Sequence, residues 1–296
     1  MKRAILNEVL SRKPEQPLYH YTTQKGLLGI VRSREMWVTH TQYLNDRREF
    51  VHAVDLARVE IKRLLETSST DSAQKESLQR MEEALNWSPQ SINVCVCSFS
   101  EDRDSLSQWR AYGAGTSGFA IGFSADLLIA ATSKKNWYLA RCIYDAKRQR
   151  EIIQNLVEEV LEENLSGDYG YRPEDDDELE IVRARGGNLL AYLNRYAPIL
   201  KDESFSEERE WRIISRPLMN SSKDFCFREG RSLLIPYSKF PLSYDDLTFR
   251  LKEVVIGPAR DQERSKSSVI SFLMHERLLK RMEIDVEISK VPFRDW

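Results

Sequence analysis

Glu208 and Glu210 stand two residues apart, where the polar run Glu207-Glu208-Arg209 enters the apolar stretch of Trp211, Ile213 and Ile214. In an extended chain residues i and i+2 point to the same side. The spacing therefore predicts two carboxylates facing one cleft at the start of a strand whose apolar residues anchor it in the core. Such a pair can divide labour, one carboxylate orienting a ligand and the other stabilising developing positive charge. A strand edge carrying two solvated charges is the plainer account of an isolated Glu-x-Glu. Arg212 falls on the same side again, placed to pair with either glutamate or to hold a diphosphate through its two-pronged guanidinium. A structural salt bridge explains it equally well.

His20 lies in Leu18-Tyr19-His20-Tyr21-Thr22, at the end of a short strand just before a helix. A histidine in that position can hydrogen-bond a ribose, an amide or a carboxylate, though a lone histidine is more often a satisfied core or surface residue. Ser98 and Ser100 alternate on the strand Ile92 to Ser100, so their hydroxyls share a side and can hold a neighbouring carboxylate; turn chemistry leading into Asp104 is the alternative. Trp109 and Tyr112 lie three residues apart on one helical face, a spacing that suits stacking on a planar ring as well as core packing. Leu44-Asn45-Asp46 with Glu49 reads as a capped helix start, and capping accounts for each of its residues. A metal-dependent hydrolase built on Asp46, Glu49 and Glu208 is less attractive, because no metal-ligand spacing joins them.

The elements that must position these groups are short. Strands are expected at Leu18–Thr22, Met36–Thr39, Ile92–Ser100, Phe119–Phe123, Trp137–Tyr144, from Trp211, and at Phe225–Phe227, Leu233–Tyr237, Val254–Gly257 and Ile284–Ile288. Helices are expected over residues 1–13, Gln24–Ser33, Arg48–Glu66, Ser105–Tyr112, 146–166, 178–202 and about Gln262–Leu279. Residues 67–74 read as a Ser/Thr-rich connector, and Glu174 to Glu178 as a solvated acidic loop. Strands and helices interleaved without a regular βαβ rhythm argue for an α+β fold with a mixed central sheet. We expect a single domain over 1–296 with a helical insertion at about 146–202. No GxGxxG follows a strand and no GxxxxGK[ST] is present, which disfavours ordinary dinucleotide and P-loop folds.

The 296 residues carry 44 basic and 46 acidic side chains, a formal charge of −2, so no global field draws the chain to nucleic acid or membrane. Cys95, Cys97, Cys142 and Cys226 are too irregularly spaced for a zinc ribbon and read as buried thiols. No window has the apolar length of a membrane span, and a cytoplasmic, reducing setting is expected.

The ordered set His20-Tyr21-Thr22, Leu44-Asn45-Asp46 with Glu49, Cys97-Ser98-Phe99-Ser100, Trp109 with Tyr112-Gly113, Gly118 to Phe123, Glu208-x-Glu210-Trp211-Arg212 and Val255-Ile256-Gly257 resembles a bacterial domain-of-unknown-function family, family twenty-nine seventy-one. It spans residues 18 to about 260. A weaker resemblance, to the ADP-ribosyltransferase superfamily, rests on His20, Ser98 with Ser100, and the Glu208-x-Glu210 pair in that order. It implies a split sheet, NAD as substrate, and a protein or nucleic acid as acceptor. By that resemblance Glu210 is catalytic with Glu208 auxiliary and His20 supporting, while His20, Tyr21, Thr22, Ser98, Ser100, Trp109, Tyr112 and Arg212 hold NAD. It further implies ADP-ribosyltransferase or NAD glycohydrolase activity, a toxin or phage-defence effector, and an antitoxin or regulatory protein as partner. The alternative is a non-catalytic nucleotide- or partner-binding module on the same fold. The helical insertion is expected to choose the acceptor.

Overall fold

The computed structural model describes residues 2–44, 48–67, 71–86, 93–112, 118–167, 189–218, 222–230, 232–279 and 284–292. In chain order the elements are α1 (Lys2–Ser11), β1 (Leu18–Thr22), α2 (Gln24–Ser33), β2 (Glu35–His40), α3 (Arg48–Thr67), α4 (Ser72–Ala84), β3 (Cys95–Ser100) and α5 (Leu106–Tyr112). There follow β4 (Phe119–Phe123), α6 (Ala125–Lys135), β5 (Tyr138–Arg141), α7 (Ala146–Ser166), helical residues 189–196 (α8) and β6 (Glu210–Ile214). The chain closes with β7 (Phe225–Glu229), β8 (Leu234–Pro241), β9 (Leu251–Ile256), α9 (Gln262–His275) and β10 (Asp285–Ile288). The fold is α+β, with one mixed sheet between two helical layers.

Local chemistry explains the element ends. The Thr23 hydroxyl accepts from the Gly26 N–H and starts α2, and Arg34 closes it in the left-handed region at φ 57°. Ser124 caps α6 in the same way, and the Asp145 carboxylate caps α7 by accepting from the Arg148 N–H at 2.6 Å. In α7 the buried stripe Ile152, Ile153, Leu156, Val157, Val160 and Leu161 repeats at helical spacing.

The sheet runs β10-β9-β4-β1-β3-β2-β8-β7, with β6 on the other edge of β3 and β5 beyond β6. β10 is parallel to β9, and the other described pairings are antiparallel. The feature that positions the site is a fork. β2 and β1 share one edge of β3, β2 pairing Thr39 with Val96 and His40 with Cys95, and β1 pairing Tyr19 with Ser100. Between these contacts Cys97 and Ser98 have no strand neighbour on that edge among the described pairs.

One face of the sheet is covered by α2, α6 and α9, through Leu27, Ile30, Leu128, Ala131, Val269 and Leu273 packed on Leu18, Phe99, Ile121 and Val254. The other face is covered by α3, α4, α7 and α8, whose Ala57, Ile61, Leu78, Ile153 and Leu193 pack on Val96, Ala140 and Ile214. The segment expected as a helical insertion thus supplies much of this second core. Its acidic tip, Glu174 to Glu178, lies outside the described residues. The helix expected over 178–202 is helical at 189–196, turns through the 3₁₀ segment Ala197–Ile199, and becomes extended at Leu200, which bridges to Ile143. Two helices not anticipated from sequence, α4 and α6, complete the layers. No described helix is long and apolar enough to cross a membrane.

Candidate functional site

A cleft of about 1780 Å³ opens at the fork, lined by residues of β1, β2, β3, β6 and β8 and walled by α2, α3, α5 and the segment 200–208. It brings together His20, Tyr21, Thr22, Ser98, Ser100, Tyr112, Glu208, Glu210 and Arg212. Their convergence follows from topology: β3 carries the serines and has β1 on one side and β6 on the other.

At the fork a side chain does the work of a missing strand. The Nδ1 of His20 lies 2.9 Å from the Ser98 carbonyl oxygen. A carbonyl only accepts, so Nδ1 carries the proton and Nε2 is the acceptor of the neutral ring. Burial lowers the pKa of His20 against the opposing pull of the Ser98 bond, which favours that neutral form.

Glu210 pairs with Ser100 across β3 and β6, and its N–H donates to the Tyr144 hydroxyl at 2.9 Å. Its carboxylate is buried between two cations. Arg212 donates from Nε to Oε1 at 2.7 Å and from Nη2 to Oε2 at 3.2 Å, and the Lys201 ammonium donates to Oε2 at 2.5 Å. Burial alone raises the pKa of such a carboxyl, but Arg212 and then Lys201 outweigh it and hold Glu210 at about 2. Arg212 is fixed in turn by the Pro198 carbonyl, to which Nη1 donates at 2.6 Å. Lys201 bonds Glu208 as well, so one ammonium joins the two carboxylates. Burial opposes its charge, yet Glu210 holds its pKa above the ordinary lysine value.

Glu208 reaches this point by a route that differs from the expected one. It ends the 3₁₀ turn Glu203–Glu208 and is not on the strand; Arg209, at φ 44°, reverses the chain before β6 begins. Ser100 fixes that turn, its hydroxyl donating to the Glu208 carbonyl at 2.7 Å and accepting from the Asp102 N–H at 3.0 Å. The Ser100 side chain is therefore spent on the scaffold. With 20% of its side chain exposed against 5% for Glu210, Glu208 is the carboxylate that solvent reaches.

Two aromatic expectations divide. Tyr112 borders the cleft, half open at 38% exposure, where burial and the charges of Glu210 and Glu208 raise its pKa to about 12. Trp109 does not line the cleft, which corrects the stacking expectation. Its ring is 3% exposed and packs edge-on against Tyr21 at 4.6 Å, and its N–H donates to Asp104 at 2.7 Å. A rotation of about 100° per residue carries positions three apart far enough around a seven-residue helix to separate core from rim. Tyr21 lines the cleft while its hydroxyl donates to the Asp102 carbonyl and accepts from the Ser105 N–H. Asn45 and Asp46 lie outside the described residues.

Lys201 and Tyr144 were not recognisable from motif spacing. The signal for Lys201 was Pro198, which interrupts the helical pattern and starts the extended run that delivers the ammonium. Cys95, Cys97 and Cys142 are buried free thiols, and Cys226 is half-buried. Among the described residues no group of three or more His, Cys, Asp or Glu side chains is arranged to hold a metal.

Residues 108–213 match the family model described as "Protein of unknown function (DUF2971)", which supports the resemblance to that family over less than half of the chain. Tyr112, Lys201, Glu208, Glu210 and Arg212 fall inside the matched stretch; His20 and Ser98 fall outside it. No curated protein and no solved structure matches the chain.

Proposed function

We propose that the protein is an NAD-dependent ADP-ribosyltransferase or NAD glycohydrolase acting at the fork. The observation that carries this reading is the Lys201 ammonium held between Glu208 and Glu210 beside Ser98 and His20, a paired-carboxylate field already shaped around a positive charge. Cleavage at the nicotinamide ribose develops positive charge on the sugar, and carboxylates held beside it stabilise that charge as the Lys201 ammonium gives way. The C1′–N bond breaks with its electron pair passing to nicotinamide, which leaves neutral. A lone pair on water or on an acceptor nitrogen or oxygen forms the new C1′ bond, and the proton it releases passes to Glu208 and on to solvent. Glu210, with three of its roughly four lone-pair positions engaged, keeps one acceptor position for a ribose hydroxyl. His20 Nε2 accepts from a second hydroxyl.

Nicotinamide release by the purified protein tests this directly. Glu210→Gln keeps shape but removes the charge, and the rate is expected to fall about 100-fold or more. Turnover at the parental rate in that variant, or no NAD binding by the parent, overturns the reading. One observation favours the non-catalytic alternative: Arg212 and Lys201 neutralise Glu210 completely in the free protein. NAD binding without nicotinamide release selects it.

A further inference from the structure

The wall of the cleft across the fork from Ser98 has a different character. Antiparallel pairing of Thr39 with Val96 sets a register in which Trp37 would face Ser98 if β2 followed β3. β2 instead turns away with β8, pairing Trp37 with Lys239 and Thr39 with Tyr237. Trp37 is thereby placed on the far prong of the same cleft, 46% exposed, with Tyr237 behind it at 4.6 Å between ring centroids and 31° between planes. Arg228, on neighbouring β7, lies with its guanidinium carbon 6.0 Å from the Trp37 ring centroid and donates to the Thr39 hydroxyl at 3.0 Å.

Arg228 is an unmatched charge. No carboxylate among the described residues pairs with it, its Nε is buried without a hydrogen-bond partner, and burial lowers its pKa. Arg212, Arg141, Arg103 and Arg63 each meet a glutamate. Lys239, beside it, is held only loosely by Glu35 at 3.8 Å. A half-buried guanidinium without an anion, set against an open indole, matches one repeating unit of a single strand: a planar base to stack and a phosphate to neutralise.

Resting on the transferase reading above, we propose that the acceptor is a single-stranded nucleic acid, seated with a base on Trp37 and a phosphate on Arg228. An acidic peptide would satisfy Arg228 but leave the indole unused. With the base on the far prong, a nucleophilic nitrogen or oxygen of the adjoining nucleotide lies toward the carboxylates. It bonds to C1′ as nicotinamide departs, and its proton goes to Glu208.

Fluorescence anisotropy of a labelled twelve-nucleotide single strand, with NAD binding followed separately by calorimetry, tests the proposal. Binding is expected to weaken with salt at a log–log slope of about −0.7, the value for one phosphate neutralised on a single strand. Trp37→Ala and Arg228→Gln should each weaken oligonucleotide binding about tenfold more than NAD binding. Met274→Ala, on the exposed face of α9, should bind as the parent does. Absence of oligonucleotide binding by the parent overturns the proposal, as does parental binding by Trp37→Ala. An equal or greater loss of NAD binding in both variants overturns it as well, because the wall then serves the dinucleotide. Oligonucleotide binding through Trp37 with no nicotinamide release keeps this wall and removes the transferase reading.

Discussion

Lys201 and Arg212 neutralise the same carboxylate from different sides, and removing one reveals what the other does alone. Lys201→Met leaves Glu210 with Arg212 only, so the Glu210 pKa should rise from about 2 toward the ordinary range, read by carboxyl carbon chemical shifts across a pH series. Arg212→Leu leaves a buried carboxylate facing a single ammonium and should cost about 3–5 kcal/mol in urea denaturation. The pH dependence has a definite sign. Glu210 has a lower pKa folded, about 2, than its ordinary 4.5, so the unfolded chain takes up the proton first as pH falls. The stability it contributes is complete above pH 4.5 and is lost as pH falls toward 2, amounting to roughly 3 kcal/mol. In Glu210→Gln that acid limb should flatten; an unchanged limb would assign the loss to other carboxylates. His20, lowered from 6.5, acts with the same sign, its share of stability declining once pH falls below 6.5.

α5 separates two aromatic roles across three residues. Trp109→Ala should cost about 3–5 kcal/mol, because it empties a packed site against Tyr21 and removes one of the donors to Asp104, which keeps those from the Ser289 hydroxyl and the Lys290 N–H. Tyr112→Ala, at the open rim, should change stability by about 1 kcal/mol or less while weakening NAD binding. Thermal melts and calorimetry separate the two. Gly257→Ala is expected to destabilise, since an added Cβ meets the Gly118 carbonyl and the Trp109 ring at 2.9 Å each.

The same elements show how much was legible in the chain. β1, α2 and β4 were readable to the residue because alternation or a helical stripe runs between clear caps. α4 was hidden by its charged surface, with only Ser77, Leu78 and Met81 buried, and α6 by apolar residues too evenly spread to mark one face. In the site, His20, Ser98 and Glu210 were recoverable because each sits on or beside a strand that the pattern revealed. Glu208 was given the right place for the wrong reason: the turn at Arg209 breaks the alternation, and the Lys201 bridge restores the proximity. Trp37 and Arg228 come together through pairing of β2 with β8 and β8 with β7, a distance along the chain that no local spacing records.

Across the whole molecule, the fork divides the sheet into a β10-β9-β4-β1 prong and a β2-β8-β7 prong joined through β3. The β1 prong meets β3 through one residue pair, Tyr19 with Ser100, and through the His20 side chain. Order along the chain then sets a schedule for biosynthesis. β1 emerges early but finds β3 and β4 only after residues 95–123 have been made. β2 finds β8 only when residues 237–241 emerge, with Glu208 and Glu210 arriving shortly before. Such long-range closures fold slowly. A nascent chain carries His20 and Ser98 long before it owns a carboxylate pair or a second wall, so the cleft stays incomplete on the ribosome until most of the length has been synthesised.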